Sequence, residues 1–375
     1  MAKCRISHGK GAYRNRVILF PKPDAKFEGW KQALETESPC HQALAMWRPW
    51  LAFHHILRHR LRGRQVDALV VRYLNDRGSL RATLLALAGE AVSLATARLL
   101  NVPVFWIIHN IDQETCDQWP LLGRLRRTNV RRAATAFFVT EDALRPYAAS
   151  IHRIEGPIHT LPLGEPVPES LRPGRLGPRG AEFRERAESW LEDRVKRFGR
   201  RPCCLLVVGT PQEKYSHFWR LADLLERASR AGVPLIALVI SPLEGFGGRT
   251  LESALANHER DGRVLMSRGY LPVDWHWAAA HCDALLRGYQ DLSMSHAIFH
   301  AVQVHMPVLC MPGGIVPEVV RREGIGQVLV EDFSNISECV EKLSPLKNSV
   351  VQAFSARRST HQAAANLLAA LGPAH

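Results

Sequence analysis

Cysteine is sparse in this sequence and is not arranged for disulfide or metal chemistry. The eight cysteines among 375 residues are scattered, and no two of them are spaced as CxxC. Cys203 and Cys204 lie inside an apolar run, which indicates buried core thiols. We therefore expect no metal site built on cysteine pairs, and a reducing, cytoplasmic compartment.

Long apolar runs are also missing. No uninterrupted apolar stretch reaches the roughly 20 residues that a membrane-spanning helix needs. The best candidate, residues 84–100, contains Glu90 and Arg98, so we predict a buried helix there. Residues 1–16 are basic but lead into no apolar core of a signal peptide.

Acidic residues are scarce in the first half of the chain. Residues 1–200 hold 33 Lys/Arg and 20 Asp/Glu, whereas residues 201–375 hold 16 of each. The formal net charge of +13 therefore lies in the first half. This asymmetry points to an anionic partner, which would be a membrane surface, a phosphorylated substrate or nucleic acid. A solvated, arginine-rich surface is the alternative.

Short apolar runs do recur along the chain, each followed by a helix-like segment. The first half has such runs at 16–21, 66–74, 102–110, 134–140 and 158–164, and the pattern resumes at 203–209 and 234–241. Strands that are apolar on both faces are typical of parallel sheets covered by helices on each side. We predict an α/β fold of two doubly wound, Rossmann-like domains facing across a cleft.

The pattern is interrupted between these two halves. A segment rich in Pro, Gly and Arg is followed there by a charged amphipathic helix. We predict an N-terminal domain at 1–165, a linker and helix at 166–202, a second domain at 203–349 and a C-terminal helix at 350–375. Whether that last helix crosses back to the N-terminal domain stays open.

Polar groups follow the apolar strand in VFWIIHNIDQET, residues 104–115. His109, Asn110, Asp112 and Glu114 leave the carboxyl end of that strand, and α/β sheets bind ligands at this end. We predict a functional site there. A histidine that only satisfies loop backbone is the alternative.

A second polar loop follows the predicted strand at 203–209. Gly209 ends that strand, and Lys214 stands just before a helix predicted to begin near Ser216. A lysine beside the free N–H groups of a helix start suits a diphosphate. The GxxxxGK[ST] spacing of a P-loop is absent, and an exposed surface lysine is the alternative.

A third cluster lies within residues 268–330. Ser293 and Ser295 fall at a strand-to-helix transition, where hydroxyl and N–H groups can hold phosphate or ribose. The Gly313–Gly314 pair allows close backbone approach to a ligand, and the next predicted helix carries Glu318. A helix cap and a turn would explain the serines and glycines without a ligand.

The order of these elements resembles the donor half of GT-B glycosyltransferases, particularly the family-4-like ones. The matching residues are Lys214-Tyr215, Gly288-Tyr289, Ser295-His296, Ala301, Pro307-Val308, Gly313-Gly314 and Glu318-Val319. The WIIHN strand end resembles the HN of the first domain in that family, whose histidine approaches the donor sugar. The architecture is similar over nearly the whole chain, whereas the motifs match only at about 103–116 and 204–330.

The sequence also departs from the family pattern. Many relatives carry two glutamates eight residues apart, and Leu292 and His300 stand at the equivalent positions. Tyr215 and His296 replace glycines, and the arginine that often precedes the lysine is missing. Because of these differences, the resemblance does not establish the contacts to the ribose of the donor, nor whether the reaction would retain or invert the sugar's configuration.

The resemblance implies a metal-independent hexosyltransferase that takes a nucleotide-diphosphate sugar as donor and needs no cofactor. Positive side chains and helix N-termini would stabilise the leaving diphosphate. The implied donor site consists of Gly209, Lys214, Arg268 (or Arg287 in its place), Tyr289, Ser293, Ser295, Gly313, Gly314 and Glu318. His109 would contact the donor sugar, and an inverting reaction would need an acid such as Asp112 or Glu114 as base.

Aromatic and basic residues alternate at 46–64 in a helix-compatible run. The predicted contacts with an anionic membrane surface or an acceptor are Trp47, Arg48, Trp50, Arg58 and Arg62. The resemblance implies a glycan or polyprenyl-diphosphate-linked acceptor in bacterial exopolysaccharide synthesis, at the inner face of the plasma membrane. An amphipathic helix packed on the core is the alternative.

Two other functions stay open. One is a different GT-B enzyme, such as a nucleotide-sugar epimerase. The other is a diverged, inactive GT-B protein that acts as a scaffold, which the missing glutamates favour. The sequence contains no helix-turn-helix, zinc site or aromatic RNA motif, so we expect no nucleic-acid partner.

Overall fold

The computed structural model describes residues 16–109, 111, 118–164, 176–212, 214–242, 247–269 and 271–372. Two compact units divide the chain, one formed by residues 1–165 with 356–375 and the other by residues 166–355. Each unit contains a six-stranded parallel sheet. The two doubly wound, Rossmann-like domains predicted from the apolar runs are thereby confirmed.

The first sheet has its reversal of strand order near the predicted His109 loop. Its strands are β1 (Arg16–Pro21), β2 (His41–Met46), β3 (Gln65–Val71), β4 (Val104–Ile108), β5 (Ala136–Val139) and β6 (Ile158–Thr160). They lie in the order β2-β1-β3-β4-β5-β6, so the order reverses between β1 and β3. Doubly wound sheets bind ligands beyond the carboxyl ends of the strands at such a reversal.

Helices cover both faces of this sheet. They are α1 (Ala25–Glu37), α2 (Ala52–Leu61), α3 (Leu80–Leu99), α4 (Pro120–Ala133) and α5 (Arg145–His152). Phe27 and Trp30 of α1 join the core on one face, and α2, α3 and α4 pack side by side. Asp24 and Ser79 cap α1 and α3 by accepting hydrogen bonds from backbone N–H groups of the first turn.

Two sequence predictions for this unit are wrong in part. The segment 46–64 is not one helix, because Met46 ends β2 and a 3-10 turn at Pro49–Leu51 precedes α2. The helix predicted as buried is buried on one face only, through Thr83, Ala86, Ser93, Leu94 and Ala97. By length and composition, this helix α3 is apolar enough to span a membrane.

The second sheet has the strand order of a dinucleotide-binding fold. Its strands are β7 (Cys203–Val208), β8 (Leu235–Ile240), β9 (Val264–Met266), β10 (Ala284–Arg287), β11 (Val308–Cys310) and β12 (Gly326–Val328). They lie in the order β12-β11-β10-β7-β8-β9, which reverses between β7 and β10. The loops after β7 and β10 therefore flank the expected ligand position of this unit.

The helices that follow are mostly short. They are α6 (Gly177–Phe198), α7 (Ser216–Trp219), α8 (Leu221–Arg230), α9 (Gly248–Arg260), α10 (Trp275–His281), α11 (His296–Gln303), α12 (Val316–Glu323), α13 (Ile336–Glu341), α14 (Asn348–Arg357) and α15 (Thr360–Ala370). The helix predicted to begin near Ser216 is interrupted at Arg220. The predicted linker at 165–175 lies outside the described residues.

The C-terminal segment is anchored by a buried ion pair. The C-terminal helix predicted at 350–375 is divided into α14 and α15, and Arg358 lies between them. Its Nε and Nη2 donate to the two carboxylate oxygens of Glu141, both at 2.8 Å, and both side chains are buried. α15 then packs against α1, so the last helix completes the core of the first unit.

Candidate functional site

Arg287 occupies the centre of the strand-order reversal in the second unit. It is the last residue of β10, and only 5% of it is exposed. Its Nη1 donates to the carbonyl oxygen of Val208, at the end of β7, at 2.7 Å. The same Nη1 lies 2.9 Å from Nε2 of His217. Arg287 therefore links the carboxyl ends of the two central strands.

The contact with Arg287 fixes the proton on His217. Since Nε2 accepts from the guanidinium, Nδ1 carries the proton and donates to the carbonyl oxygen of Gly288 at 2.9 Å. Burial and the charge of Arg287 hold the pKa of His217 well below its usual value. His217 is therefore neutral, and it carries no negative charge that could compensate the positive charge of Arg287.

The charge of Arg287 has no carboxylate partner among the described residues. Its contacts are a carbonyl and a neutral imidazole, and its buried Nε has no hydrogen-bond partner among those residues. Burial lowers the pKa of its guanidinium. A buried, uncompensated charge costs several kcal/mol. An anionic ligand arriving at this edge of the sheet would lower that cost.

A second cation lies on the neighbouring loop. Nζ of Lys214 is 3.1 Å from a carboxylate oxygen of Asp291, and Ser293 donates its hydroxyl to the other oxygen at 2.7 Å. The backbone joins the same loops, because Gln290 N–H donates to the carbonyl oxygen of Lys214. Lys214 and Ser293, which the sequence singled out separately, are thus brought together by Asp291.

The glycines of this edge are required by packing. A Cβ on Gly288 would lie 2.3 Å from the hydroxyl of Ser216, so no side chain fits there. Gly313 and Gly314 both have positive φ, and a Cβ on Gly314 would lie 2.5 Å from the carbonyl oxygen of Asp291. The glycine pair therefore allows the loop after β11 to pack on the loop after β10.

Four other predicted donor-site residues lie on or next to these loops. Tyr289 is buried and meets the ring of Tyr215 edge-on at 4.8 Å. Ser295 is the buried N-cap residue of α11, and its side chain makes no capping hydrogen bond. Glu318 is exposed in the first turn of α12. Gly209 follows β7 with φ of 121°, next to the guanidinium of Arg287.

Arg268 is not brought into this cluster. It lies beyond β9, at the edge of the sheet and two strands away from β7. Its Nε is 3.0 Å from Glu252 and its Nη2 is 2.7 Å from Glu259, both on α9. Two carboxylates thus compensate its charge. Arg287, which the sequence offered only as a substitute, occupies the position expected of a phosphate-binding cation.

His109 is the centre of a polar cluster in the first unit. Nε of Arg72 donates to Nε2 of His109 at 3.1 Å, and the ring of Tyr73 stacks on the imidazole at 4.9 Å. Arg72 also donates to Asp24, which lies after β1, so the cluster spans the reversal of strand order. Burial, Arg72 and Lys26 hold the pKa of His109 well below its usual value. His109 is therefore neutral, with its proton on Nδ1.

The remaining predicted residues fall into two groups. Asp112 and Glu114 lie outside the described residues, as does Asn110. Trp47 is 81% exposed, and Arg48, Arg58 and Arg62 are exposed as well. Trp50 is half-buried, with the guanidinium of Arg77 4.3 Å from its ring.

Cavity volume alone does not locate the site. A cavity of about 450 Å³ in the second unit is lined by Arg201, Cys203 and Asp283, which lie at the amino ends of β7 and β10. This is the edge of the sheet opposite to Arg287. In the described part of the chain, no group of three or more His, Cys, Asp or Glu side chains could hold a metal ion.

Sequence reasoning missed four residues of these clusters: Arg72, Tyr73, His217 and Asp291. Arg72 and Arg287 shared one signal that could have found them. Each is a charged residue at the end of a short apolar run, ALVVR and ALLR, and each is buried. His217 and Asp291 carried no such signal, because their roles depend on side chains from other loops.

Comparison with known proteins identifies the fold. No family model and no curated protein sequence matches the chain. Solved structures are similar over nearly its whole length, among them the following three. Anabaena HepE in complex with UDP has a TM-score of 0.58 at 12% identity, covering 95% of this chain and 99% of that one.

The lipopolysaccharide outer core galactosyltransferase WaaB, in its apo form, has a TM-score of 0.56 at 10% identity and covers 95% of this chain and 99% of its own. The apo structure of OtsA has a TM-score of 0.58 at 8% identity, with coverage of 96% and 100%. Identities this low establish architecture alone. The chain therefore has the GT-B fold, with two Rossmann-like domains.

Proposed function

We propose that this protein transfers a sugar from a nucleotide-diphosphate sugar to an acceptor hydroxyl. The observation that carries this proposal is Arg287, a buried guanidinium with no described carboxylate partner at the strand-order reversal of the second unit. A diphosphate supplies the missing negative charge, and it is also the leaving group of this reaction. Stabilising that leaving charge is a large part of the catalytic task.

Arg287 and Lys214 would both bind the diphosphate, each in a different way. Arg287 is held rigidly by Val208 and His217, so its position costs no reorganisation when the ligand arrives. Lys214 is partly exposed and pairs with Asp291, so it can turn from that carboxylate towards a phosphate. Ser295 begins the eight-residue helix α11 without a capping hydrogen bond from its side chain, and the positive end of that helix would favour the same charge.

His109 would act on the sugar from the first unit. Its Nε2 is occupied by Arg72, so the proton on Nδ1 is the one it can donate to a sugar hydroxyl. A neutral imidazole suits this role over the whole physiological pH range, because its pKa is lowered. We assign the base of an inverting reaction to Asp112 or Glu114, the acids that follow His109 in sequence.

We further propose a metal-independent reaction without a cofactor, because Arg287 and Lys214 supply the cationic charge that a metal would otherwise provide. The proposed acceptor is a glycan or a polyprenyl-diphosphate-linked glycan of bacterial exopolysaccharide synthesis. The proposed location is the cytoplasmic face of the plasma membrane. The positive excess of residues 1–200 and the exposed Trp47 and Arg48 support an anionic surface as partner.

A thermal-shift screen with UDP, GDP, ADP, dTDP and CMP, with and without magnesium, tests this function. A ligand at about 100 times its Kd stabilises the folded protein by about 2.7 kcal/mol. We expect one nucleoside diphosphate to raise the Tm irrespective of magnesium, and the UDP bound to HepE makes UDP the first to test.

Two variants define the site in this screen. Lys214→Ala should lower the ligand-induced shift, whereas Arg268→Gln should leave it unchanged, because Glu252 and Glu259 already compensate Arg268. A well-folded protein that responds to no nucleotide would contradict the proposal and favour an inactive scaffold. Release of an epimerised free sugar nucleotide, with no transfer to any acceptor, would favour an epimerase.

A further inference from the structure

Three neighbouring helices of the first unit share an unusual composition. Helices α2, α3 and α4 pack side by side, α3 in the middle. Together they contain nine arginines and one acidic residue, Glu90. Glu90 is engaged by the buried Arg126, whose Nε and Nη2 donate to it at 2.8 and 2.6 Å. The outward side of the three helices therefore carries positive charge alone.

The exposed face of α3 is apolar. Leu84, Leu85, Ala88, Val92 and Leu99 are exposed, and their spacing of three, four and seven residues places them on one stripe. The opposite stripe packs on the protein and includes Thr83 and Ser93. A helix of a water-soluble domain normally has this pattern reversed, with its polar residues outside.

The neighbouring helices extend this apolar stripe. Leu57 and Leu61 are exposed on α2, the latter at 88%, and Leu121 and Leu125 are exposed on α4, the former at 78%. Exposed arginines surround these leucines. They are Arg58, Arg60, Arg62, Arg81, Arg98, Arg124 and Arg132.

We propose that this leucine-arginine face, formed by α2, α3 and α4, docks onto the surface of an anionic lipid bilayer. Leucine side chains would enter the boundary between headgroups and acyl chains, and arginines would meet lipid phosphates. A second copy of this chain does not fit the face, because a two-fold contact would bring the same arginines against each other.

The helix α3 would lie along the membrane and not cross it. The backbone of Trp50 approaches α3 so closely that a Cβ on Gly89 would lie 2.5 Å from the Trp50 carbonyl oxygen. The hydroxyl of Ser93 donates to the carbonyl oxygen of Trp50 and accepts from the N–H of Phe53. These contacts hold the inner side of α3 on the protein while its outer side stays available for lipid.

Docking in this way would present the lipid surface to the His109 cluster. In a parallel sheet, each following helix begins at the carboxyl edge of the strands. Leu84 and Leu85 lie near the start of α3, and Leu121 lies at the start of α4, so all three are near the edge where His109 follows β4. The value of this arrangement for a lipid-linked acceptor rests on the proposed function.

Vesicle co-sedimentation with the full chain tests the surface directly. The probes are vesicles of phosphatidylglycerol and, separately, vesicles of phosphatidylcholine, each at low and high salt. We expect binding to phosphatidylglycerol alone, weakened by salt. The variant Leu85→Glu/Leu121→Glu should raise the lipid concentration for half-maximal binding at least about tenfold, because it places carboxylates at the apolar boundary. The variant Arg81→Gln/Arg124→Gln should raise it about fivefold per arginine.

Val195→Glu is the matched control, since Val195 is an exposed apolar residue on α6 of the second unit. It should bind vesicles like the wild type. All variants, the control included, change residues at exposed positions, and an unchanged Tm confirms that each is folded.

Equal binding by the wild type and Leu85→Glu/Leu121→Glu would overturn the assignment of this face. So would a lipid-free dimer that this variant converts to a monomer, because the face would then bind a second copy. Neither result concerns nucleotide binding, which is measured separately by the thermal shift with UDP. A protein that binds UDP but no vesicles keeps the proposed donor chemistry and refutes the membrane surface.

Discussion

Replacing Arg287 with methionine removes a buried charge while keeping most of the side-chain volume. In the ligand-free protein, the change removes two hydrogen bonds of a charged donor, worth about 1.5–3 kcal/mol each. It also removes the desolvation penalty of the guanidinium, which is several kcal/mol. The two effects oppose each other, so we expect the free energy of unfolding to change by less than about 2 kcal/mol.

Nucleotide binding should respond very differently. Truncating one partner of a buried charge pair costs about 2–5 kcal/mol, and a loss of about 2.8 kcal/mol weakens binding a hundredfold. A UDP concentration of 100 times the wild-type Kd then only equals the Kd of the variant. The stabilisation by UDP falls from about 2.7 kcal/mol to about 0.4 kcal/mol.

Differential scanning fluorimetry measures both effects in one experiment. A change of 1 kcal/mol shifts the Tm of a unit of this size by roughly 2–4 °C. We expect a UDP-induced shift of roughly 5–11 °C in the wild type and about 1–2 °C in Arg287→Met. Arg268→Met is the control and should keep the full shift, because two glutamates of α9 already surround Arg268.

An undiminished UDP shift in Arg287→Met would refute the reasoning, because the buried charge would then not face the ligand. A large loss of Tm without ligand would show that Arg287 stabilises the fold. The charge-conserving variant Arg287→Lys separates the two roles. It should keep part of the UDP shift if charge is what the diphosphate requires, although it cannot reproduce both contacts of the guanidinium.

Three further changes test the packing and electrostatics of the fold. Arg358→Ala should lower the free energy of unfolding by about 3–5 kcal/mol in a urea titration, because it leaves the buried Glu141 without its partner; additional removal of that carboxylate by Glu141→Ala should restore part of the loss. Gly288→Ala should cost about 1–3 kcal/mol, since its Cβ would overlap Ser216, and Gly156→Ala, which has open space around it, should be nearly neutral in the same titration. Burial lowers the pKa of His300 to about 4; as pH falls from about 6.5 to 4, the unfolded chain gains a proton that the folded one refuses, so stability should fall by up to about 1.4 kcal/mol per pH unit. His300→Gln should reduce the slope of the free energy of unfolding against pH. Equal slopes for the two proteins between pH 7 and pH 5 would contradict the lowered pKa of His300.

The continuous apolar runs were sufficient to predict the central strands. VFWII is buried throughout and CCLLVV is buried from Cys204 onward, and β4 and β7 form there. The strand β2 was missed, because its apolar run is only four residues long, after His41 and Gln42, and the strand lies at the edge of its sheet. The register and order of the strands have no local signal, since each depends on which neighbours pair.

Local sequence singled out candidate site residues only where they carry chemistry in their own segment. His109 and Lys214 were chosen because they stand beside predicted strand ends. Arg268 was assigned to the donor site with Arg287 as its substitute, because sequence cannot show that Glu252 and Glu259 lie beside Arg268. Charge compensation is a property of neighbours in space.

The leucine-arginine face is a second feature that local sequence did not predict. The apolar composition of residues 84–100 predicted a helix, and the structure has one there. Composition also suggested that this helix is buried, yet only one of its faces is buried and the other is exposed. An apolar residue contributes equally to a hydrophobic run in the sequence whether its side chain is buried in the protein or would contact lipid.

The sequence by itself determined the alternation of strands and helices, the two-domain organisation and the concentration of positive charge in the first half. These follow from hydrophobic periodicity and composition, which act over a few residues at a time. Only the tertiary structure decided that Arg287 is buried without a described carboxylate, that Arg72 holds His109 in one tautomer, and that α3 keeps an apolar face outward. Each of these depends on groups far apart in sequence, which the parallel sheets bring to one edge.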